Sequence, residues 1–81
     1  MSRVEVVGYA LDDYQDAITR LRWLRENQRL SMRRVEELGG PGYSTISVAE
    51  TGAHSMGASA LFAYARALGY DLALIPREDT P

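Results

Sequence analysis

Apolar positions along this chain change period several times. Tyr14, Ile18, Leu21 and Leu24 follow one another at the spacing of one helix face. Asp12 or Asp13 stands ahead of them as a cap, so the pattern predicts a helix reaching about Gln28. Trp23 falls roughly opposite that stripe. Ser31 opens a second, shorter helix with Met32, Val35 and Leu38 inward, and Gly39-Gly40-Pro41-Gly42 stops it. A last helix, capped by Ser55, turns Ala58, Leu61, Ala65 and Leu68 inward, with Gly69 just past its end. Near both termini the period drops to two. Arg3–Tyr9 and Tyr70–Ile75 read as short strands, and Pro76 begins a polar, frayed tail.

Between the second and last helices lies Tyr43-Ser44-Thr45-Ile46-Ser47-Val48-Ala49-Glu50. It is rich in hydroxyl and β-branched side chains, which are mediocre helix formers. Its composition suits a helix that packs on one side and reads DNA on the other. Ile46 and Ala49, three apart, face inward; Tyr43, Ser44, Ser47 and Val48 then point away. A short helix, a Gly-containing turn and a second helix are the ingredients of the helix-turn-helix.

Composition sharpens this picture. The chain has 81 residues, enough for one small domain with a thin core. There is no cysteine, so neither disulfides nor thiolate chemistry enter. No run is long and apolar enough for a membrane span, and no secretory signal opens the sequence; the expected compartment is the cytoplasm. The formal net charge of −2 conceals a basic block. Arg20, Arg22, Arg25, Arg29, Arg33 and Arg34 are offset within residues 20–34 by Glu26 alone. Every basic residue is Arg and none is Lys, which supplies forked donors suited to phosphate. Such a block is either an anion-binding face or a solvated helix face with local ion pairs.

The stretch Leu30–Gly52, "LSMRRVEELGGPGYSTISVAETG", resembles the Cro/repressor-type helix-turn-helix of the Xre family. Leu30-Ser31, Gly40, Ser44-Thr45-Ile46-Ser47 and Glu50-Thr51-Gly52 match its usual pattern without a gap. Leu61, Ala65, Arg66, Ala67, Leu68 and Gly69 resemble the family's final helix, so the likeness spans roughly residues 17–69. It departs at Met32, in place of a phosphate-bracing Gln, and at Glu36, in place of a small Ala. Pro41-Gly42 replaces an apolar-Ser pair, which removes a usual cap and buried anchor of the recognition helix. Met56 replaces a common Pro.

The resemblance implies a mainly α, four- to five-helix repressor-like domain with short terminal β-strands, all within residues 1–81. It implies double-stranded DNA as partner, with Tyr43, Ser44, Ser47 and Val48 toward bases. Arg29, Arg33, Arg34, Thr45, Thr51 and His54 are then placed toward phosphates. Val48 can meet a thymine methyl or simply pack, and Tyr43 can touch DNA or lie over the Gly-rich turn. A homodimer is expected because one helix contacts too few bases, joined near the terminal strands through Val4, Val6, Leu72, Leu74 and Trp23. Trp23 has two possible covers, its own chain's strands or a partner's. The implied activity is transcriptional repression. An autorepressing antitoxin with a toxin partner, or a protein-interaction module without DNA binding, is the alternative. An enzyme is the least favoured class: the chain has no Cys, no Lys, one His and no Gly-rich phosphate loop after a strand. No catalytic residue, metal or cofactor is assigned.

Overall fold

The computed structural model describes residues 8–77. Four helices follow in order: α1 (Tyr14–Asn27), α2 (Met32–Glu37), α3 (Tyr43–Glu50) and α4 (Ala58–Ala67). Asp13 caps α1, its carboxylate accepting from the Asp16 N–H at 2.8 Å. The Asp16 carboxylate reaches back to the Asp12 N–H at 3.0 Å, which ties the residue before the cap to the first turn. Ser31 caps α2 through its hydroxyl and the Arg34 N–H. Arg29, between these helices, sits in the left-handed region at φ 57°. This is the turn by which α1 ends, with the Leu30 N–H returning to the Arg25 carbonyl at 3.0 Å.

The first stripe is inward: Ile18, Leu21 and Leu24 are buried and Tyr14 packs against them. Val35 of α2 and Ile46 of α3 are fully buried, and Ala49 nearly so. Helix α3 touches both α1 and α2, and α2 also meets α4. Truncating Ile46 at this junction costs about 2–5 kcal/mol, as for other core aliphatics. Gly40 makes the α2–α3 turn tight. A β-carbon there would lie 2.6 Å from Val35 Cγ1 and 2.9 Å from the Val35 carbonyl oxygen. The same backbone approach brings its N–H within 2.9 Å of that oxygen.

Several expectations change. Ser55 does not cap the last helix; Gly57 holds that position and supplies no side-chain bond. With the start moved, Ala58 is exposed and Leu61 half-buried, and Tyr64 becomes the fully buried residue of α4. Leu38 is not inward but 43% exposed, because α2 stops at Glu37 and the chain leaves the helical register there. Met56 is buried, and its N–H donates to the Tyr14 hydroxyl at 2.6 Å, a bond that proline has no donor to make.

No strand occurs among the described residues. Tyr70–Ile75 is irregular, its start set by the Tyr70 N–H turning back to the Ala65 carbonyl. A lone strand has no ladder to fix it, and that is the physical reason alternation alone did not make one here. The strand expected over Arg3–Tyr9 lies outside the described residues up to residue 7, as do Val4 and Val6; Gly8 and Tyr9 are irregular. No described helix is long and apolar enough to cross a membrane.

Candidate nucleic-acid interface

The outward face of α3 and the adjoining α2 form the candidate surface. Ile46 and Ala49 anchor α3 in the core. That orientation leaves Tyr43 and Val48 exposed at 42% and 36%, with Ser44 exposed beside them. Ser47 and Thr45 are only half-buried, so they flank this face. The sequence placed Ser47 fully outward; its position one residue after Ile46 tilts it toward the packed side. Thr51 and His54 are exposed past the helix end. The Thr51 hydroxyl donates to the Val48 carbonyl at 3.3 Å, as does the His54 backbone N–H, so the end of α3 is closed by its own chain.

Arg33 of α2 brings the two helices into one surface. Its guanidinium carbon lies 4.6 Å from the centroid of the Tyr43 ring. Stacking holds the cation over the start of α3 while its N–H edges remain available. Arg34 is exposed and pairs with Glu37 at 3.1 Å. Pairs this exposed contribute little, so Arg34 is readily recruited by a stronger anion. Arg29 is exposed on the turn preceding α2.

Not all of the basic block serves this surface. Arg25 is buried, and its guanidinium grips the Glu50 carboxylate with two bonds of 3.1 and 2.7 Å. A third bond, 2.9 Å long, runs to the Leu30 carbonyl. Glu50 is 2% exposed at its side chain and also accepts from the Tyr64 hydroxyl. One carboxylate therefore ties α1, α3 and α4 together. Glu50 beside it raises the Arg25 pKa further above its ordinary value. Burial first, and the Glu50 carboxylate second, push the Tyr64 hydroxyl up as well. Arg22 pairs with Glu26 at 3.3 Å and lies 3.9 Å from the Glu50 carboxylate, and Arg20 stacks over Tyr9 and Trp23 at 4.3 and 5.0 Å. The block thus divides into Arg25 in the core, Arg20 and Arg22 on α1, and Arg29, Arg33 and Arg34 around α2.

Glu36 is the residue that sequence reasoning undervalued. Gly42 precedes α3 and has no side chain to cap it. The Glu36 carboxylate does so instead, accepting the Tyr43 N–H at 2.7 Å. Pro41 is buried. The cap and the anchor that Pro41-Gly42 was expected to remove are therefore both present in other form. The signal in the sequence was a carboxylate at the end of α2 facing a helix start without its own cap.

The other expected contacts lie elsewhere. Trp23 is 46% exposed and is met edge-on by Tyr9 of its own chain, ring centroids 6.1 Å apart. Leu72 packs against the core, whereas Leu74 is wholly exposed. Among the described residues no group of three His, Asp or Glu side chains is placed to hold a metal ion. Comparison with protein-family models, curated proteins and solved structures finds no match to this chain.

Proposed function

We propose that this protein binds double-stranded DNA sequence-specifically and represses transcription by occupying its site. The observation that carries the reading is the two-sidedness of α3. Ile46 and Ala49 are buried, while Tyr43, Ser44 and Val48 point outward beside the Tyr43-stacked Arg33. Short hydroxyls and a valine can enter a major groove, where serine bonds to several base edges and valine meets a thymine methyl. Arg29, Arg33 and Arg34 supply the phosphate contacts that set orientation. The likeness of Leu30–Gly52 to the repressor-type helix-turn-helix points the same way. Occupancy needs no catalytic group.

Selection of bound sequences from a random DNA pool tests the proposal. A palindromic consensus is the expected result, with two half-sites about one helical turn apart. Absence of any enrichment overturns it.

One observation favours a second reading. Tyr9, Trp23, Tyr70, Leu74 and Ile75 are all substantially exposed, on the terminal segments and the outer side of α1. A protein partner seated there would make this an interaction module, or a repressor that also binds a toxin. Capture of a protein without any DNA enrichment would favour the module.

A further inference from the structure

We propose that Glu36 reads a base: held at the start of α3, its carboxylate accepts a hydrogen bond from the N4 amino group of a cytosine in the major groove. The proposal rests on the DNA-binding reading above. It adds a specificity-determining residue on α2, outside the outward set of α3.

Glu36 is exposed, and its Oε1 accepts the Tyr43 N–H at 2.7 Å. Among the described residues its second oxygen, Oε2, enters no hydrogen bond or ion pair. The two cations of α2 are engaged elsewhere. Arg33, one turn earlier, stacks on the Tyr43 ring at 4.6 Å, and Arg34 pairs with Glu37. The cap holds the Glu36 carboxyl against the first residue of α3, beside the exposed Tyr43 and Ser44. A side chain already held in place loses little rotamer freedom when DNA arrives.

The chemistry of a carboxylate then selects the base. It only accepts hydrogen bonds, and a charged acceptor shut into an interface without a donor is costly. Phosphates, guanine N7 and O6, and thymine O4 are acceptors and repel it. The donors of the major groove are the amino groups of cytosine and adenine. Adenine N6 lies between two acceptors, its own N7 and the O4 of the paired thymine. Cytosine N4 has an acceptor, guanine O6, on one side alone, so cytosine is the better partner. The stacked Arg33 guanidinium, which meets the same Tyr43, offsets repulsion between the carboxylate and the phosphate backbone.

The test is selection from a random DNA pool, run in parallel with the wild type, Glu36→Gln and the double variant Glu36→Ala with Gly42→Ser. In Glu36→Gln the amide oxygen keeps the Tyr43 cap and an NH2 group replaces Oε2, so an acceptor becomes a donor. Thymine carries its O4 acceptor where cytosine carries N4. One cytosine of the wild-type consensus is therefore expected to become thymine for Glu36→Gln, and the double variant should show neither preference there. Anisotropy titrations on duplexes differing at that position should show the wild type favouring cytosine by about tenfold or more, and Glu36→Gln reversing the order. Uracil, which has O4 without the methyl, should behave as thymine does, which separates the effect from a methyl contact with Val48. The same consensus from all three chains overturns the proposal and leaves DNA binding standing. So does uniformly tighter binding of Glu36→Gln to every sequence, because the carboxylate then acts only as a charge. No enrichment by the wild type overturns both readings. If Glu36→Gln fails to melt cooperatively, the double variant decides, and a cytosine preference it retains overturns the proposal.

Discussion

The Glu36 carboxylate, on α2, caps α3 by accepting the Tyr43 backbone N–H at 2.7 Å. The contact crosses the turn between the two helices, so it fixes their mutual placement as well as the helix start. A negative charge there also complements the positive end of the α3 dipole. Glu36→Ala is expected to lower stability by about 0.5–2 kcal/mol, the range of lost helix caps. Glu36→Gln keeps an acceptor and should lose less. Gly42→Ser places a hydroxyl at the helix start, where a new β-carbon meets nothing within 4 Å. Added to Glu36→Ala, it should recover part of the loss. Thermal denaturation of the four chains measures this, and an unchanged melting temperature for Glu36→Ala removes the cap from the account.

Arg33 and Arg34 are expected to act differently from the side chains of α3. Arg33→Ala or Arg34→Ala should weaken binding to all DNA sequences alike, whereas Tyr43→Ala or Ser44→Ala should alter which sequences are preferred. A good base contact discriminates by about 1–3 kcal/mol. With Arg29, Arg33 and Arg34 on phosphates in each of two copies, the logarithm of the binding constant should fall with the logarithm of salt at a slope near −5. Fluorescence anisotropy titrations at several salt concentrations check both. A slope near zero contradicts the phosphate contacts, and equal losses on all sequences for all four variants misplace the reading face.

Tyr64 makes stability depend on alkaline pH. Its folded-state pKa is raised above the ordinary 10.0 by burial and then by the Glu50 carboxylate. Above pH 10 the unfolded chain loses the Tyr64 proton while the folded chain keeps it. Stability from this group is therefore complete below that pH and falls as pH rises, by at most about 1.4 kcal/mol per pH unit. Urea denaturation between pH 8 and 11 should show a steeper decline for the wild type than for Tyr64→Phe. Parallel declines would contradict the assignment.

Breaking the pair beneath it is expected to be far more costly. Glu50→Ala leaves the Arg25 guanidinium buried without its carboxylate, and losses of about 3–5 kcal/mol are typical of such sites. In a chain of this size that is a large share of total stability. Arg34→Ala, on a pair with Glu37 that is exposed on both sides, should change stability by less than about 1 kcal/mol. Chemical denaturation compares them; similar values for both would mean the buried pair is replaceable.

Gly40→Ala should be costly for a different reason. The added methyl meets Val35 Cγ1 and the Val35 carbonyl at distances that force α2 and the turn apart. Overpacking of this kind costs about 1–3 kcal/mol. Gly8→Ala, where the methyl meets nothing and no helix end is involved, is the control. A melting temperature for Gly40→Ala equal to the control would show that the turn yields.

Periodicity by itself determined where α1 and α2 lie and which stripe of α1 is buried, because burial of one face imposes a repeat that survives in the sequence. The Asp12-Asp13 pair, Ser31 and Gly69 marked their helix ends, since capping is local chemistry, and the structure selects Asp13 of the pair. The inward pair Ile46 and Ala49 was legible too, and with it the outward Tyr43, Ser44 and Val48, though not the half-buried Ser47. Tertiary structure alone decided the rest. Arg25 reads as one more cation of a basic block until Glu50, 25 positions away, is brought against it. Tyr64 reads as an aromatic of the last helix until burial and that same carboxylate claim its hydroxyl. Glu36 looks like a departure from a pattern until the turn folds it onto Tyr43. Alternation over Tyr70–Ile75 promised a strand, but a strand is a relation between two segments, and one segment's sequence cannot contain its partner.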